Sequence, residues 1–564
     1  MQKNIIAFIL LFQFSMFSWS QMDMFNETYD FHSDEVSNAW LEMLIRNDSL
    51  ILVGTSSYST FTRLEVGSMP LSNPNSMGVS SIWNPVNERY YSGIGKSFWN
   101  DPATNDLFIT GPIESSTFLA EGFIARTNVS GDSLNVIKSG IDTTDYQSSF
   151  YNPTEGRITL AGIKADQNER TDVWLVQYDT SGTLIWENTF GGVESDVSFS
   201  IDRTHDGGFV IGGFTRSFGA GMRDVYVVKT DSLGNFEWQH VFGGVNYDTG
   251  WLKTVENGNI LVYGGIGHET SGSGKGYARK LDSLGNMKWH KEYYYSLSHT
   301  DLVQAMTPSS TGYLFAGFSV DEADNNPLGW LLKTDFDGNE LWSRRYRKRD
   351  SDNYFRDVVE LPDGDIMLCG FVFSEDTLSQ DAWLVRTNCL GFDTLPEANA
   401  TAEVLADREI RLENKSKAWG NCIIDWGDGT SNYVYEDYSS FIEHTYPNTD
   451  ERTIKITALA CGDEDTMSLS VLPSTTSVTK ETLDNFTLFP NPASNNVTLQ
   501  IPAFKSNDYE VQFYNNIGRQ VNLEEAATAT GYEINISGIA SGVYQVALRH
   551  KNGVVSNKKL VIQH

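Results

Sequence analysis

The sequence predicts an all-β fold, because two landmarks recur along most of the chain at a nearly fixed interval. Tryptophans recur at steps of 52, 51 and 53 residues, namely Trp186, Trp238, Trp289 and Trp342. Glycines that end short apolar runs recur at steps of 51 to 57 residues, namely Gly54, Gly111, Gly162, Gly213, Gly265, Gly317 and Gly370. A self-similar period of this length indicates a repeat architecture.

Each repeat has room for four short strands separated by Gly, Asp and Asn. An apolar run such as VWLVQYD (173–179) follows each landmark glycine, and an Asp-x-x-Gly turn then leads into the strand that carries the tryptophan. Many short strands with frequent turn signals favour an all-β fold. Four strands repeated radially form a propeller blade. The seven glycines therefore predict a seven-bladed β-propeller over residues 21–395, with an open β-solenoid as the alternative.

Closure of the ring is predicted from the two ends of the repeat region. The last repeat stops after DAWLVRTN (381–388) without a tryptophan strand. The segment 24–43 supplies the missing strand, because it aligns with 185–203 and places Phe25 at the tryptophan position. We expect this strand to complete the seventh blade and to hide both sheet edges.

The first twenty residues have the pattern of a secretory signal peptide. Lys3 precedes the apolar stretch 5–17, and small residues follow before Gln21,. No later segment has 18 consecutive apolar residues, so we expect no transmembrane segment. We expect the exported chain to be a monomer.

The chain is strongly acidic, with a formal net charge of −32 and 20% charged residues. Such a surface repels nucleic acid and anionic lipid, and we expect no nucleic-acid partner. The charge favours either cationic partners or simply solubility in a secreted protein. The sequence contains no recognisable cofactor motif, and we expect no cofactor.

Four cysteines permit three disulfide pairings. Export makes disulfides possible, and we expect the two local pairs, Cys369 with Cys389 and Cys422 with Cys461. No CxxC motif or histidine pair accompanies these cysteines, so we expect no metal site.

The 52-residue rhythm ends after Pro396, and a second module is predicted at 396–473. Its landmarks are DWGDGT (425–430) and HTY (444–446). These residues resemble the PKD family, which implies an immunoglobulin-like β-sandwich that serves as a spacer or as a carbohydrate- or protein-binding module. Hairpin-turn chemistry explains Asp425 and Asp428 better than a catalytic pair or a metal site does.

A Ser/Thr-rich linker is predicted at 474–484, followed by a small C-terminal β-sandwich at 485–564. The segments LFPNPASNNVTLQI, VQFYNNIGRQV, GIASGVYQVAL and NKKLVIQ occur there in order. The series resembles the type A C-terminal sorting domain of the type IX secretion system (T9SS). The resemblance implies that the secretion machinery exports the protein across the outer membrane of a Gram-negative cell, for release or surface attachment. The residues that carry it are Pro490, Asn491, Pro492, Gly518, Gly542, Tyr544, Lys558 and Lys559.

No catalytic motif is present, but one set of carboxylates recurs at steps of 51, 52 and 53 residues. Each member precedes the strand expected to lie innermost in its blade. One interpretation is a partial ring of carboxylates that holds a cation at one mouth of a central channel. The alternative, which we favour, is that each aspartate caps its own turn and braces neighbouring blades. The set consists of Asp145, Asp196, Asp248 and Asp301.

The loop region 67–104 departs from the repeat and is rich in Trp, Tyr and Asn. Irregular loops on a rigid scaffold often carry function. We therefore expect ligand contacts there, while the alternative is that these rings fill irregular gaps between blades. The candidate ligand-binding residues are Trp83, Tyr90, Tyr91 and Trp99.

These observations favour a secreted or cell-surface, non-catalytic binding or adhesion protein with an unknown extracellular glycan or protein ligand. The alternative is an extracellular polysaccharide- or protein-degrading enzyme that uses the propeller as a catalytic or carrier domain. Two buried carboxylates about 5–9 Å apart in an aromatic-lined cleft would favour the enzyme. A symmetric, solvated ring of carboxylates would favour a scaffold.

Overall fold

The computed structural model shows an all-β protein with two compact units, Met1–Thr394 and Leu395–His564. It describes residues 24–563 except 32–36, 59–60, 72, 74–75, 83–87, 91–94, 116–119, 129–131, 142, 269–273, 296–299, 322, 324, 374–378, 436–440, 476–485, 502–503, 505–507, 516–519, 522, 524 and 551–554. The expected signal peptide and most of the expected linker lie outside these residues. In the described ranges, no helix is long and apolar enough to span a membrane.

The first unit begins with the strand β1 (Phe25–Tyr29) and continues with a nine-stranded sheet. The strands of that sheet are β2 (Ser37–Arg46), β3 (Ser49–Ser57), β4 (Thr62–Pro70), β5 (Gly78–Ser81), β6 (Glu88–Tyr90), β7 (Phe98–Asn100), β8 (Leu107–Ser115), β9 (Ala120–Thr127) and β10 (Ser133–Lys138). The main path of the sheet runs β10-β9-β8-β6-β4-β3-β2, while β5 pairs with β4 and β7 pairs with β8.

Four antiparallel sheets of four strands follow, each in chain order. The first consists of β11 (Thr144–Asn152), β12 (Arg157–Ala165), β13 (Thr171–Asp179) and β14 (Leu184–Phe190), and the second of β15 (Asp196–Arg203), β16 (Phe209–Thr215), β17 (Asp224–Thr230) and β18 (Phe236–Phe242). The third consists of β19 (Tyr247–Thr254), β20 (Ile260–His268), β21 (Lys275–Leu281) and β22 (Met287–Tyr293), and the fourth of β23 (Asp301–Ser309), β24 (Gly312–Val320), β25 (Pro327–Thr334) and β26 (Glu340–Tyr346). A short 3-10 helix, Glu256–Gly258, joins β19 to β20.

The last sheet of the first unit combines the two ends of this unit. Strands β27 (Asn353–Glu360), β28 (Ile366–Phe373) and β29 (Gln380–Thr387) are completed by β1 in the order β1-β29-β28-β27. Phe25 lies opposite Arg386 in β29, just as Trp186 lies opposite Gln177 in the sheet of β11–β14. Phe25 therefore occupies the tryptophan position, as the sequence alignment predicted.

The first strands of successive sheets contact one another. Strand β11 contacts β15, β15 contacts β19, β19 contacts β23, and β23 contacts β27. Strand β27 contacts β2, and β11 also contacts β7, β8 and β9 of the nine-stranded sheet. The sheets of the first unit therefore follow one another around a ring, with their first strands innermost.

A glycine on the second strand recurs opposite a bulge in the first strand. In the sheet of β15–β18 the register shifts between Ser198 and Ser200, and a Cβ atom on Gly213 would lie 1.9 Å from the carbonyl oxygen of Val197. Only glycine lets the two backbones approach this closely. Gly54, Gly162, Gly317 and Gly370 face the first strand in the same way, which explains the periodic glycines of the sequence.

The sheet count differs from the predicted seven separate blades. In the described residues the first unit has six sheets, because a single parallel pair, Thr62 with Arg89, joins β4 to β6 and merges two groups of strands. The bridging strand β6 belongs to the irregular region 67–104, which contributes this one additional strand where the other repeats have a short connection.

The second unit begins with two sheets that share one hydrophobic core. One sheet has the order β30-β31-β34 and the other β33-β32-β35-β36. Trp426 and Tyr446 are both fully buried in the core between them. The strands are β30 (Ala400–Val404), β31 (Glu409–Asn414), β32 (Asn421–Asp425), β33 (Ser431–Tyr435), β34 (Phe441–Thr445), β35 (Arg452–Ala460) and β36 (Asp463–Val471), with a 3-10 helix at Ala406–Arg408.

The rest of the second unit forms two further four-stranded sheets with their own core. Their orders are β37-β38-β42-β41 and β40-β39-β43-β44. The core between them includes Val497, Ile534 and Leu560. The strands are β37 (Thr487–Phe489), β38 (Asn496–Gln500), β39 (Tyr509–Tyr514), β40 (Gln520–Val521), β41 (Glu525–Ala527), β42 (Gly531–Asn535), β43 (Gly542–His550) and β44 (Val555–Ile562).

The expected local disulfides are wrong. Cys369 and Cys422 are buried free thiols, whereas Cys389 and Cys461 are disulfide-bonded. Cys369 lies opposite Leu384 on the neighbouring strand, and Cys389 lies five residues further along, a separation of about 17 Å in extended chain. A disulfide requires Cα atoms closer than about 7 Å, so strand register forbids the pairing of Cys369 with Cys389.

Candidate functional site

The inner strands of the ring enclose a cavity of 320 Å³, which we call the central cavity. Its walls come from β2, β7, β11, β15, β19, β20, β23 and β27 and from residues 95–96. Binding sites for small molecules typically occupy about 300–1,000 Å³. The central cavity is therefore the candidate functional site.

Side chains next to the bulges of the inner strands brace neighbouring sheets, because they accept hydrogen bonds from backbone N–H groups of the next sheet. The Ser148 hydroxyl accepts from Ile201 N at 3.2 Å, and the Ser200 hydroxyl accepts from Leu252 N at 2.8 Å. At the corresponding position of β27, the Asp357 carboxylate accepts from Met43 N at 2.9 Å. Two neighbouring repeats thus use a hydroxyl where β27 places a carboxylate.

Glu42 occupies the same bulge position in β2. Its carboxylate accepts hydrogen bonds from the Ser97 backbone N–H at 2.9 and 3.0 Å and a further bond from the Ser97 hydroxyl. Glu42 is only 8% exposed. Burial, reinforced by repulsion from Asp357, raises the pKa of Glu42 to about 7, although the Ser97 hydrogen bonds and Lys96 oppose the shift.

Asp357 completes a pair of carboxylates in the cavity wall. Its second oxygen accepts from Val358 N at 2.8 Å. Burial raises the pKa of Asp357, while Lys96 and Lys253 pull it down. The protonation states of Glu42 and Asp357 are therefore coupled to each other and to the cations nearby.

Three cations share this cavity with the carboxylates. Burial lowers the pKa of Lys253, and repulsion from Lys96 lowers it further. Burial also lowers the pKa of the Arg356 guanidinium, which Glu42 partly offsets. The ammonium group of Lys96 lies 4.9 Å from the centre of the Trp99 ring.

The irregular region 67–104 supplies part of this site. Gly95 N donates to Gln147 O at 2.9 Å, and Ser149 N donates to Lys96 O at 2.7 Å, which fixes the segment against β11. The Trp99 indole N–H donates to the Ser149 carbonyl at 2.8 Å. The structure thus places the end of this region in the cavity wall.

The four aromatic candidates have different locations. Trp99 is partly exposed and lines the central cavity. Tyr90 is 1% exposed and packs edge-on against Phe123 in a hydrophobic core, where it cannot touch a ligand. Trp83 and Tyr91 lie outside the described residues.

The recurring aspartates do not line the central cavity. Asp196 accepts from Gly192 N at 2.8 Å and from the Ser217 hydroxyl at 2.7 Å. Asp248 accepts from Gly267 N at 2.7 Å, and Asp301 accepts from Tyr295 N at 2.9 Å. These bonds tie the loops around the start of each inner strand, which is the arrangement expected from the bracing interpretation.

Asp145 does not belong to this series and is a correction to the sequence prediction. Strand register aligns Thr144 with Asp196, because Gly162 lies opposite Tyr146 and Gly213 lies opposite Ser198. The spacing of 51 residues therefore misplaced Asp145 by one position. By the same register the sheets of β2 and β27 place Asn38 and Asn353 at this position, so that the set contains both charged and neutral side chains.

The described sorting residues cluster where the first and last strands of the C-terminal sheets meet. The Asn491 side chain donates to Lys559 O at 2.8 Å and accepts from Val561 N at 2.8 Å. The peptide bonds that precede Pro490 and Pro492 are cis. Tyr544 is buried, and the ammonium group of Lys558 lies 5.5 Å from the centre of the Phe486 ring. Gly542 pairs with Ile562 in the neighbouring strand. Gly518 lies outside the described residues.

Sequence reasoning missed the charged cavity residues, although one signal was present. Glu42 and Asp357 replace the serines that the repeats of β11 and β15 carry at 148 and 200, so a repeat alignment that allowed for different hairpin lengths would have revealed them. Lys253 gave no such signal. Among the described residues, no group of three or more His, Cys, Asp or Glu side chains is placed to hold a metal ion.

Comparisons with known proteins assign the C-terminal domain. Residues 487–563 match the family described as the Secretion system C-terminal sorting domain. This domain directs the protein across the outer membrane to the cell surface or the extracellular space. No curated protein matches the chain.

Solved structures that resemble the chain include β-propeller proteins at very low identity. The Pyrococcus horikoshii acylaminoacyl peptidase shares 11% identity with a TM-score of 0.35, over 67% of this chain and 57% of that one. The chain thus spans little more than half of that peptidase. The β-propeller domain of the Trilobed protease from Pyrococcus furiosus shares 12% identity with a TM-score of 0.36, over 64% of this chain and 99% of that one. The polysaccharide lyase Uly1 shares 9% identity with a TM-score of 0.38, over 64% of this chain and 91% of that one.

Proposed function

We propose that this protein is a secreted or cell-surface binding protein without catalytic activity, and that its ligand occupies the central cavity. One observation carries the proposal. Glu42 and Asp357 are held by backbone N–H groups, in the manner of Ser148 and Ser200 in neighbouring repeats. Carboxylates held in this way stabilise the cavity wall and have less freedom to act on a substrate.

The first unit, residues 21–395, is proposed to be a seven-bladed β-propeller. The nine-stranded sheet contains two runs of four strands in chain order, β2 to β5 and β7 to β10, with β6 between them. Counting these runs as two blades gives seven with the five remaining sheets. The ring order of the inner strands and the pairing of β1 with β29 support this count.

Residues 396–473 are proposed to form a PKD-like sandwich that acts as a spacer or a second binding module. Asp428 accepts from the Thr430 backbone N–H at 3.0 Å and contacts the His444 ring nitrogen at 2.8 Å. The His444 ring stacks on Trp426 with ring centres 4.6 Å apart. These contacts give the family motif a structural role and support the resemblance.

A screen of the secreted protein on glycan and surface-protein arrays tests the binding proposal. We expect a specific, saturable ligand that is recovered unchanged. Formation of any product from a bound polymer would contradict the proposal. A Glu42→Gln variant should retain binding, because a glutamine carbonyl can still accept from Ser97 N.

A hydrolase or lyase is the second candidate, and one observation favours it. Glu42 has a pKa of about 7 in a cavity that Trp99 and Trp251 also line, and a general acid–base group works best with a pKa near the working pH. Incubation with acidic and neutral polysaccharides and with proteins, followed by mass spectrometry of the products, would identify turnover. Turnover that Glu42→Gln abolishes would establish the enzyme.

A further inference from the structure

The central cavity contains three cations without a directly bound counter-ion. Among the described residues, no carboxylate oxygen lies within 4.0 Å of the charged groups of Lys96, Lys253 or Arg356. None of the three side chains donates a hydrogen bond to a described residue. Lys253 and Arg356 are partly buried and Lys96 is exposed, and a charge withdrawn from water is costly unless an oppositely charged group neutralises it.

The carboxylates of the cavity are already engaged by other donors. Asp202 accepts from Arg203 N at 2.8 Å, from Thr254 N at 2.9 Å and from the Thr254 hydroxyl at 2.7 Å. Glu42 and Asp357 accept the bracing bonds described above. Formal charges in the wall cancel, three against three, but the charged groups that remain available to a ligand are the cationic ones.

The surrounding protein restricts the size and charge of such a ligand. The whole chain carries a formal charge of −32, which repels a large polyanion at long range. Screening limits that repulsion to about 8 Å at physiological ionic strength. A small ligand with a single negative charge, or the end of a longer ligand with one such charge, can bind the cations of the cavity without strong repulsion from the rest of the chain.

The remaining walls favour a sugar ring over a simple inorganic anion. Trp99, Trp251 and Tyr263 line the cavity, and Phe199 covers one face of the Trp251 ring, with ring centres 5.1 Å apart. The aromatic surface that stays open to the cavity can pack against the C–H face of a sugar. Gln304 also lines the cavity, and in the part of the chain that the structure describes its side-chain amide makes no hydrogen bond, so that it is available to sugar hydroxyls.

We propose that the central cavity binds a sugar residue that carries one carboxylate, and this inference rests on the binding function proposed above. The carboxylate lies among Lys96, Lys253 and Arg356, and the ring lies against Trp99 and Trp251. The volume of 320 Å³ is at the lower end of the range of about 300–1,000 Å³ for small-molecule sites. The cavity therefore accepts one sugar residue and not an extended chain.

Isothermal titration of the secreted protein with D-glucuronate and with D-glucose tests the charge requirement. The two sugars differ only in the carboxylate, so we expect glucuronate to bind at least about tenfold more tightly. Lys253→Met should weaken glucuronate binding by about tenfold and leave glucose unaffected. Lys291→Met is the matched control, because Lys291 lies on the outer strand β22 of the same sheet, and it should bind glucuronate like the wild type.

N-acetylalanine, a carboxylate without a sugar ring, tests the second half of the proposal. Binding of N-acetylalanine as tight as that of glucuronate would overturn the assignment to a sugar. Equal binding of glucose and glucuronate would overturn the proposal that the ligand must carry a carboxylate, but it would leave the proposed binding function intact. Binding of none of the three probes would also overturn the acidic sugar. Selective binding of glucuronate together with its chemical conversion would support the ligand class and contradict the non-catalytic function.

Discussion

The indole nitrogen of Trp383 donates a 2.7 Å hydrogen bond to the side-chain oxygen of Asn26, across a separation of 357 residues in sequence. Trp383 is fully buried, and Asn26 also donates to Asp393 at 3.1 Å. Strand β1 pairs with β29 along five residues at the same place. A specific polar contact therefore adds to backbone pairing where the two ends of the first unit meet.

Asn26→Ala should destabilise this closure. The substitution leaves the buried indole N–H without its acceptor, which costs about 1–3 kcal/mol in the free energy of unfolding. Glu27→Ala is the control on the same strand, because Glu27 is exposed and forms a surface ion pair with Lys348, worth less than about 1 kcal/mol. Urea unfolding and hydrogen exchange of β29 provide the measurements. Equal effects of the two substitutions would show that the Trp383 bond does not stabilise the closure.

Gly95→Ala should displace the segment that carries Lys96 and Trp99. A Cβ atom on Gly95 would lie 1.9 Å from the Phe199 carbonyl oxygen, so the segment must move, at a cost of about 1–3 kcal/mol. Gly78→Ala is the matched control in the same irregular region, since its Cβ would meet only Ser68 O at 3.9 Å. Thermal unfolding should separate the two variants. A Gly95→Ala protein as stable as Gly78→Ala would contradict the close approach.

Glu42→Gln should change how stability depends on pH. Burial raises the pKa of Glu42 from its usual 4.5 to about 7, so its stabilising contribution is complete below pH 4.5 and is lost as the pH rises through 7. Over this window the loss amounts to about 3 kcal/mol. The variant should therefore gain stability relative to the wild type between pH 5 and pH 8.

Denaturation curves at several pH values check this expectation. Asp357 also has a raised pKa, and repulsion couples it to Glu42, so the difference between the two proteins measures the Glu42 carboxyl group together with this coupling. Glu194→Gln, on an exposed loop, should show the same pH dependence as the wild type. If Glu42→Gln did so as well, Glu42 would not titrate near neutrality.

The folded protein should contain two thiols that do not react. Cys369 and Cys422 are free but buried, and burial raises the pKa of the Cys422 thiol to about 11, so little thiolate forms near neutral pH. A thiol reagent should label no cysteine in the native protein and two after unfolding without reductant. Peptide mapping should locate both labels at Cys369 and Cys422. If no cysteine were labelled after unfolding, all four cysteines would be in disulfides, and the local pairing expected from the sequence would be supported.

Deletion of residues 487–563 should leave the protein inside the cell envelope, since this domain directs export. Asn491→Ala should reduce the exported fraction, because Asn491 joins the start of the domain to the last strand through Lys559 and Val561. Asn496→Ala is the control, since its side chain makes only a long, exposed contact of 3.4 Å. Immunoblots of cell and culture fractions measure export. Normal export of Asn491→Ala would show that this bridge is dispensable.

Local patterns predicted the strands, the glycine landmarks and the sorting domain. Strand content follows from short-range periodicity, and the alignment of Phe25 with Trp186 worked because one repeat resembles the next. Asp145 shows the limit of this reasoning. Counted from the bulge to the landmark glycine, the hairpin of β11 and β12 is one residue longer than the hairpin of β15 and β16, and a fixed spacing along the sequence cannot reveal that insertion.

The sequence by itself determined the repeated all-β architecture and the export of the protein, because both follow from local, periodic or terminal sequence motifs. Only the tertiary structure decided which charges face the central cavity and which cysteines remain free. Glu42, Lys253 and Asp357 lie up to 315 residues apart, and the ring of inner strands brings them together. Burial in that ring then sets the pKa values of these side chains, which the sequence does not encode at any single position.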